Sequence, residues 1–278
     1  MIQMAIVNLT PDSFYEPSRV WTGNADPELQ AGAALARIRQ LLDDGADIID
    51  LGAVSTRPGA ADVPVEEEWR RLVPVVTALA AAKRAEDRSF ACAQDDICHS
   101  ERSEESITIS IDTTSAEIVR RAYDVIGPFI MNDISAGEDD PEMLQTVADL
   151  GLTYIAMHKR GNPRSMDSLC DYPDGIIPEL LRYFEDFSAK ADALGIKNWI
   201  LDPGLGFAKT EEQNWEILRN LKALKAIGRP ILIGAADKRF THGDTDAAHA
   251  LAIANGADIL RVHTLIPQAD TSGPRRDA

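Results

Sequence analysis

The stretch Trp199-Ile-Leu-Asp-Pro-Gly-Leu-Gly-Phe-Ala-Lys-Thr210 is an apolar run that stops at one carboxylate, Asp202, and breaks at once into a Pro-Gly-x-Gly turn. A buried parallel strand delivers a side chain to a ligand-facing edge in this way. Pro203 fixes its φ and donates no hydrogen bond, while Gly204 and Gly206 permit left-handed backbone or a close approach, so the chain turns sharply just past the carboxylate. Phe207 then stands beside Asp202 at the strand mouth. Alone, the turn reads equally as a helix-side cap. The ends of the other apolar runs decide between the two.

Seven further runs have the same form, at 4–8, 47–52, 107–112, 129–134, 153–158, 230–234 and 258–263, each ending near a polar residue. Amphipathic helical patterns alternate with them, at 26–45, from Pro64 onward, and at 116–123, 141–150, 176–194, 211–224 and 246–255. Pro64 suits a first helical position, and Glu66, Glu67 and Glu68 follow it at the positive helix end. Eight strand-helix alternations predict an α/β fold, a (β/α)8 TIM barrel, over an open doubly wound sheet. The barrel is expected to be one domain over residues 1–265.

Two segments break the rhythm. Residues 84–106 are polar and acidic with neither period, which predicts a disordered insertion before the third strand, on the barrel face that carries stability rather than chemistry. The tail, 266–278, contains Pro and Gly without an apolar stripe. It predicts a missing or atypical eighth helix, leaving the first and eighth strands without an evident outer cover.

The 278 residues are 45% hydrophobic with a net charge of −17. That charge argues against nucleic acid and anionic membrane as partners, so an anionic ligand must be held by local donors. No run approaches a membrane span, and the first residues lack a secretory pattern, so the cytoplasm is the expected location. Cys92, Cys98 and Cys170 make an odd count that fits reduced thiols. Cys92, Cys98 and His99 are a weak metal signal without a returning ligand pair.

The carboxyl ends of the runs bring together Asn8, Asp50, Asp112, Asn132 with Asp133, His158, Asp202, Lys238, Arg261 and His263. Barrel active sites draw on this face and on several strands at once. Asp112, Asn132, Asp202 and Lys238 suit a flat heterocycle with an amide and amine edge, because a buried carboxylate accepts paired N–H bonds from a guanidine-like group. Arg261 and His263 suit an anion such as pyrophosphate. Asn8 offers a neutral oxygen to Mg2+, which takes few protein ligands and many from phosphate and water.

The ordered motifs Asn8-Leu-Thr-Pro-Asp-Ser-Phe14, Asp50-Leu-Gly-Ala-Val-Ser-Thr-Arg-Pro-Gly59, Ser110-Ile-Asp-Thr113, Asn132-Asp-Ile-Ser135, Met157-His158 with Gly161-Asn-Pro-Arg164, Leu201-Asp-Pro-Gly-Leu-Gly-Phe207 and Arg261-Val-His263 resemble those of the dihydropteroate synthases. The resemblance spans residues 4 to 263. It implies a transferase of folate biosynthesis that condenses hydroxymethyl-dihydropterin pyrophosphate with p-aminobenzoate and releases pyrophosphate. Catalytic roles are implied for Lys238, Asp202 and Arg261. Asp112, Asn132, Asp202 and Lys238 are implied to hold the pterin, and Asn8, Arg261 and His263 to hold Mg2+ and pyrophosphate. Thr56, Arg57 and Pro58 are implied to form a mobile loop closing the p-aminobenzoate pocket against Phe207, and a homodimer is implied as the assembly.

The chain departs from the family pattern after the seventh strand. The usual Ser-Arg-Lys-Ser reads Ala236-Asp-Lys-Arg239, and Val54 stands where Glu is usual. Asp237 is expected to repel an anionic substrate and reduce activity, whereas Arg239 offers a strong partner to the aminobenzoate carboxylate. Two competing readings are a catalytically silent pterin-binding paralogue and, less well matched, a methyl-tetrahydrofolate-dependent methyltransferase.

Overall fold

A computed structural model describes residues 1–10, 27–55, 63–92, 107–162 and 165–267. Eight strands alternate with helices: β1 (Ile2–Asn8), α1 (Pro27–Asp43), β2 (Ile48–Gly52), α2 (Val65–Cys92), β3 (Thr108–Asp112), α3 (Ala116–Ile126), β4 (Ile130–Asp133), α4 (Met143–Leu150), β5 (Thr153–Met157), α5 (Ile176–Leu194), β6 (Trp199–Asp202), α6 (Glu211–Arg219), α7 (Leu221–Leu224), β7 (Leu232–Ile233), α8 (Thr245–Ala254) and β8 (Ile259–Val262). All paired strands are parallel, in the order β6-β5-β4-β3-β2-β1-β8-β7. A single bridge between Leu201 and Ile231, with the Leu201 amide donating to the Pro230 carbonyl at 3.0 Å, brings β6 against β7 and closes the barrel.

Side chains alternate across the barrel wall. Met4, Ile48, Ile155, Ile200, Leu232 and Ile259 fill the interior as one apolar cluster. Outward residues such as Ala5, Ile49, Ile111, Tyr154, Trp199 and Leu260 form the larger core beneath the helices. The interior plug has a direct consequence for function. The lower barrel is solid, so a ligand can enter only from the carboxyl ends of the strands, where the inward positions turn polar.

Local sequence sets the element ends. Thr210 opens α6 with a reciprocal capping box, its hydroxyl accepting from the Gln213 amide while the Gln213 side chain accepts from the Thr210 amide. Glu66, Glu67 and Glu68 occupy the first turn of α2. That helix continues through Cys92, so the first nine residues of the expected insertion are helical. Residues 93–106 of that insertion, Cys98 and His99 among them, lie outside the described residues, as does the tail from 268.

No helix follows β8 among the described residues, which end at Pro267, so most of the tail expected to lack a helix lies outside them. The chain instead runs down the outside of β1, where Gln3, buried and facing outward, donates to the Ile266 carbonyl at 2.9 Å and accepts from the Ile266 amide at 2.7 Å. Leu265 and Ile266 pack on the core and supply part of the cover that a helix gives elsewhere. Among the described residues no helix is long and apolar enough to cross a membrane.

Candidate active site

Three inward positions on β2, β3 and β8 form a charged wall. Arg261 donates from Nε to Asp50 Oδ2 and from Nη2 to Asp112 Oδ2, both at 2.6 Å. Asn132 Nδ2, inward on β4, lies 3.2 Å from the same Asp50 oxygen. The Asp50 side chain is fully buried and that of Asp112 is 12% exposed. Burial pushes the Asp112 carboxyl up to about 7; Arg261 pulls it down, and Asp50 and Glu68 push it up. Burial works against the Arg261 charge, but the two flanking carboxylates outweigh it and hold the guanidinium firmly protonated. Two carboxylates sharing one cation leave this wall net negative, which suits an N–H-rich edge.

Across the mouth, β6 ends at Asp202. Its Oδ1 accepts the Gly204 amide at 2.8 Å, and Oδ2 has no protein hydrogen bond among the described residues. Burial raises the Asp202 carboxyl, opposed by that amide and by the Lys238 charge. Gly204 has φ +68°, and a Cβ there would sit 2.0 Å from the His158 carbonyl oxygen, so only glycine lets β5 and the turn meet. At Gly206 a Cβ would lie 3.2 Å from Lys238 Cδ: the lysine passes over the bare glycine. Lys238 Nζ then stands 4.5 Å from the centroid of the Phe207 ring. Burial pulls Lys238 down to about 8, helped by Arg261 and resisted by Asp202 and Asp112.

Asn8, Asp112, Asn132, Asp202, Phe207, Lys238, Arg239, Arg261 and His263 line one cavity of about 960 Å3. All the predicted contact residues that are described therefore share one space. Thr56, Arg57 and Pro58 lie outside the described residues; the preceding Val54 and Ser55 line the cavity. Arg239 reaches the rim, where Nη2 pairs with Asp167 at 3.0 Å in solvent. The Asp237 carboxylate lies 3.8 Å from His263 Nε2, so a cationic imidazole would offset its charge. That geometry supplies no support for the expected loss of activity.

The oxygen set bears on Mg2+. A Cβ on Gly52 would lie 3.7 Å from Asn8 Oδ1 and 3.9 Å from Asp112 Oδ2, so the glycine keeps open a niche bordered by both oxygens. Among the described residues no cluster of three His, Cys, Asp or Glu ligands exists. Asp112 Oδ2 is engaged by Arg261, so Asn8 Oδ1 is the neutral oxygen that fits a cation whose other ligands come from phosphate and water.

Asp133 and His158 do not face this cavity. Asp133 is the outward neighbour of Asn132 and accepts from the Ser135 amide and hydroxyl at 2.7 Å, the Gly137 amide at 2.8 Å and the Tyr154 hydroxyl at 2.6 Å. His158 turns outward against Tyr172 and Tyr183, and burial holds it well below the usual imidazole range. Among the lining residues that escaped sequence reasoning is a buried cation. Lys209 is buried, with Nζ at 2.9 Å from both His158 Nδ1 and the Phe207 carbonyl. The available signal was a third cation at the strand ends, two residues beyond Phe207.

The profile of the pterin binding enzymes matches residues 4–86 and 96–263, leaving out part of the segment before β3. A dihydropteroate synthase of Synechocystis is 38% identical over 94% of this chain and 84% of its own length. A Xanthomonas albilineans dihydropteroate synthase solved with 4-aminobenzoic acid superposes with a TM-score of 0.73 at 33% identity, covering 94% of this chain and 87% of that one. A structure of the enzyme from that organism in complex with 7,8-dihydropteroate gives 0.68 at 28% identity, over 94% and 86% of the two chains. With the barrel, the plugged interior and the polar mouth, these matches establish that the chain belongs to the pterin-binding enzyme family, among the dihydropteroate synthases.

Proposed function

We infer that this barrel condenses hydroxymethyl-dihydropterin pyrophosphate with p-aminobenzoate to give dihydropteroate and pyrophosphate in folate biosynthesis. The observation that carries the reading is that one cavity gathers groups of two kinds. Asp112, Asn132, Asp202 and Lys238 offer acceptors and donors to a flat heterocycle, and Asn8, Arg261 and His263 face an anion. A volume of about 960 Å3 accommodates both substrates together.

The proposed chemistry follows from these groups. Asp112 and the open Oδ2 of Asp202 accept N–H bonds from the pterin, while Asn132 and Lys238 donate to its acceptors. Cleavage of the carbon–oxygen bond sends the electron pair to pyrophosphate and leaves a cationic methylene. The aniline nitrogen attacks that carbon, and the new ammonium loses its proton. Arg261 has used two of its five donors on carboxylates, so three remain for the departing oxygens. Phe207 walls the second-substrate side, and Arg239 at the rim supplies a cation for the benzoate carboxylate. Asn8 Oδ1 is the oxygen that would hold Mg2+, which would supply further neutralisation of the leaving group. The family likeness implies contacts with the aminobenzoate for Thr56, Arg57 and Pro58.

On its charge of −17 we also propose that the chain has no nucleic-acid or anionic-membrane partners. A homodimer is inferred from the family likeness. Sedimentation at twice the 30.3 kDa chain mass supports it, and a monomer at every concentration refutes it.

The functional test is pyrophosphate release by purified protein given the pterin pyrophosphate, Mg2+ and p-aminobenzoate. Release that requires all the organic substrates supports the synthase. Tight pterin binding without release would leave a silent pterin-binding protein.

A further inference from the structure

Lys209 is a buried cation without a carboxylate partner among the described residues. Its ammonium donates to the Phe207 carbonyl at 2.9 Å and to the His158 carbonyl at 3.4 Å, and it meets His158 Nδ1 at 2.9 Å. With the His158 proton on Nε2, Nδ1 accepts, and three acceptors then meet the three donors of the ammonium. Taking an ammonium out of water costs several kcal/mol even in a relaxed protein, so an apolar filler would stabilise this spot more cheaply. Burial indeed pulls Lys209 down to about 7.

The contacts around the turn show what the lysine adds. Asn214, from α6, takes the Gly206 amide on its Oδ1 at 2.8 Å, and the Tyr172 hydroxyl donates to the Ala208 carbonyl at 2.8 Å. Those bonds hold the neighbours of Phe207. Lys209 holds the carbonyl of Phe207 itself and ties it to the end of β5, whose His158 carbonyl already presses on Gly204. The Phe207 ring packs with Met157, Met166 and Ala208 and carries the Lys238 ammonium over its face. A shift at this carbonyl therefore moves the aromatic wall.

We propose that Lys209 is the positioning residue of the second-substrate face: by clamping the Phe207 carbonyl to His158, it fixes the ring against which an aromatic amino acid substrate stacks. It contacts protein, not the reacting atoms. The inference rests on the synthase reading above and deepens it by naming what sets affinity for the aminobenzoate.

The test compares wild type with Lys209→Met, which keeps the length of the stem and removes all three donors, Lys209→Arg, which keeps donors, and Tyr172→Phe, which frees the neighbouring Ala208 carbonyl but leaves the Phe207 carbonyl held. Michaelis constants for each substrate are read from pyrophosphate release, and pterin affinity from a separate binding titration. Lys209→Met is expected to raise KM for p-aminobenzoate about tenfold or more while leaving the pterin dissociation constant within about twofold. Lys209→Arg is expected to recover most of that loss, and Tyr172→Phe to stay within about twofold of wild type. Should Lys209→Met fail to fold, Lys209→Leu, which is also apolar and without a donor, is read in its place with the same expected rise in KM for p-aminobenzoate.

An unchanged KM for p-aminobenzoate in an active protein overturns the inference alone. Equal losses for both substrates, or the same loss in Tyr172→Phe, also overturn it, because general loosening would then suffice. A wild-type protein that binds pterin but releases no pyrophosphate removes the synthase reading and this inference with it.

Discussion

Replacing Arg261 by Met removes the one cation shared by two buried carboxylates. Arg261 bonds Asp50 and Asp112 at 2.6 Å each, with the Asp50 side chain wholly buried and Asp112 nearly so. Breaking a buried pair by deleting one partner costs about 3–5 kcal/mol, because the remaining charge is uncompensated. Here the loss is capped, since Asp112 is already raised to about 7 and takes up a proton readily. Without Arg261 its folded value rises further above the unfolded one, so the folded variant binds more protons than the unfolded chain between roughly pH 4 and that raised value. Stability of Arg261→Met should therefore fall as pH rises through this window, with a deficit near 3 kcal/mol at about pH 8 that shrinks toward pH 6. Urea denaturation of both proteins across that range measures it. Turnover should drop about 10²–10³-fold from loss of a donor on the leaving group. A deficit below about 1 kcal/mol with no pH slope would show that the wall carries no uncompensated charge and would refute the reasoning.

Pterin-limited kcat/KM should be bell-shaped, rising near pH 7 as Asp112 ionises and falling above about 8 as Lys238 loses its proton. Asp112→Asn should remove the acid limb and Lys238→Met the alkaline one from whatever activity remains; a flat wild-type profile would contradict both assignments. Gly204→Ala places a Cβ 2.0 Å from the His158 carbonyl oxygen, whereas Gly151→Ala, at φ +63°, meets nothing within 4 Å. Thermal unfolding should show about 1 kcal/mol lost at Gly151, from left-handed backbone alone, and clearly more at Gly204. Equal losses would deny that β5 presses on the turn. Arg239→Ala should change stability by less than about 0.5 kcal/mol, its partner Asp167 being solvent-exposed, yet raise KM for p-aminobenzoate. An unchanged KM would remove Arg239 from the benzoate site.

The barrel was legible because each strand is short, apolar and ended by a polar residue or a Gly or Pro break, and all eight expected strands are present. The site was legible for the same reason: Asp112, Asn132, Asp202 and Arg261 are inward residues at the strand ends, and the fold carries them to one cavity. Facing was the weaker part of the reading. A run that ends in two polar residues does not say which one turns inward; strand pairing puts Asn132 inside and Asp133 under Tyr154. Lys209 was missed because its partners are a carbonyl two residues back and a strand end 51 residues away, which no local pattern encodes. The Gln3 clasp on Ile266 spans 263 positions and was invisible for the same reason. A helical period is likewise absent from the polar residues after Arg84, although α2 runs to Cys92.

The central claim is that the groups gathered in one cavity join a pterin to an aromatic amine. Mass spectrometry of the products formed from the pterin pyrophosphate and isotopically labelled p-aminobenzoate tests it most directly. The account predicts labelled dihydropteroate in equal amount to the pyrophosphate released, with the label lost from free p-aminobenzoate in step. Pyrophosphate accompanied by hydroxymethyl-dihydropterin and untouched p-aminobenzoate, the outcome of attack by water, would contradict it.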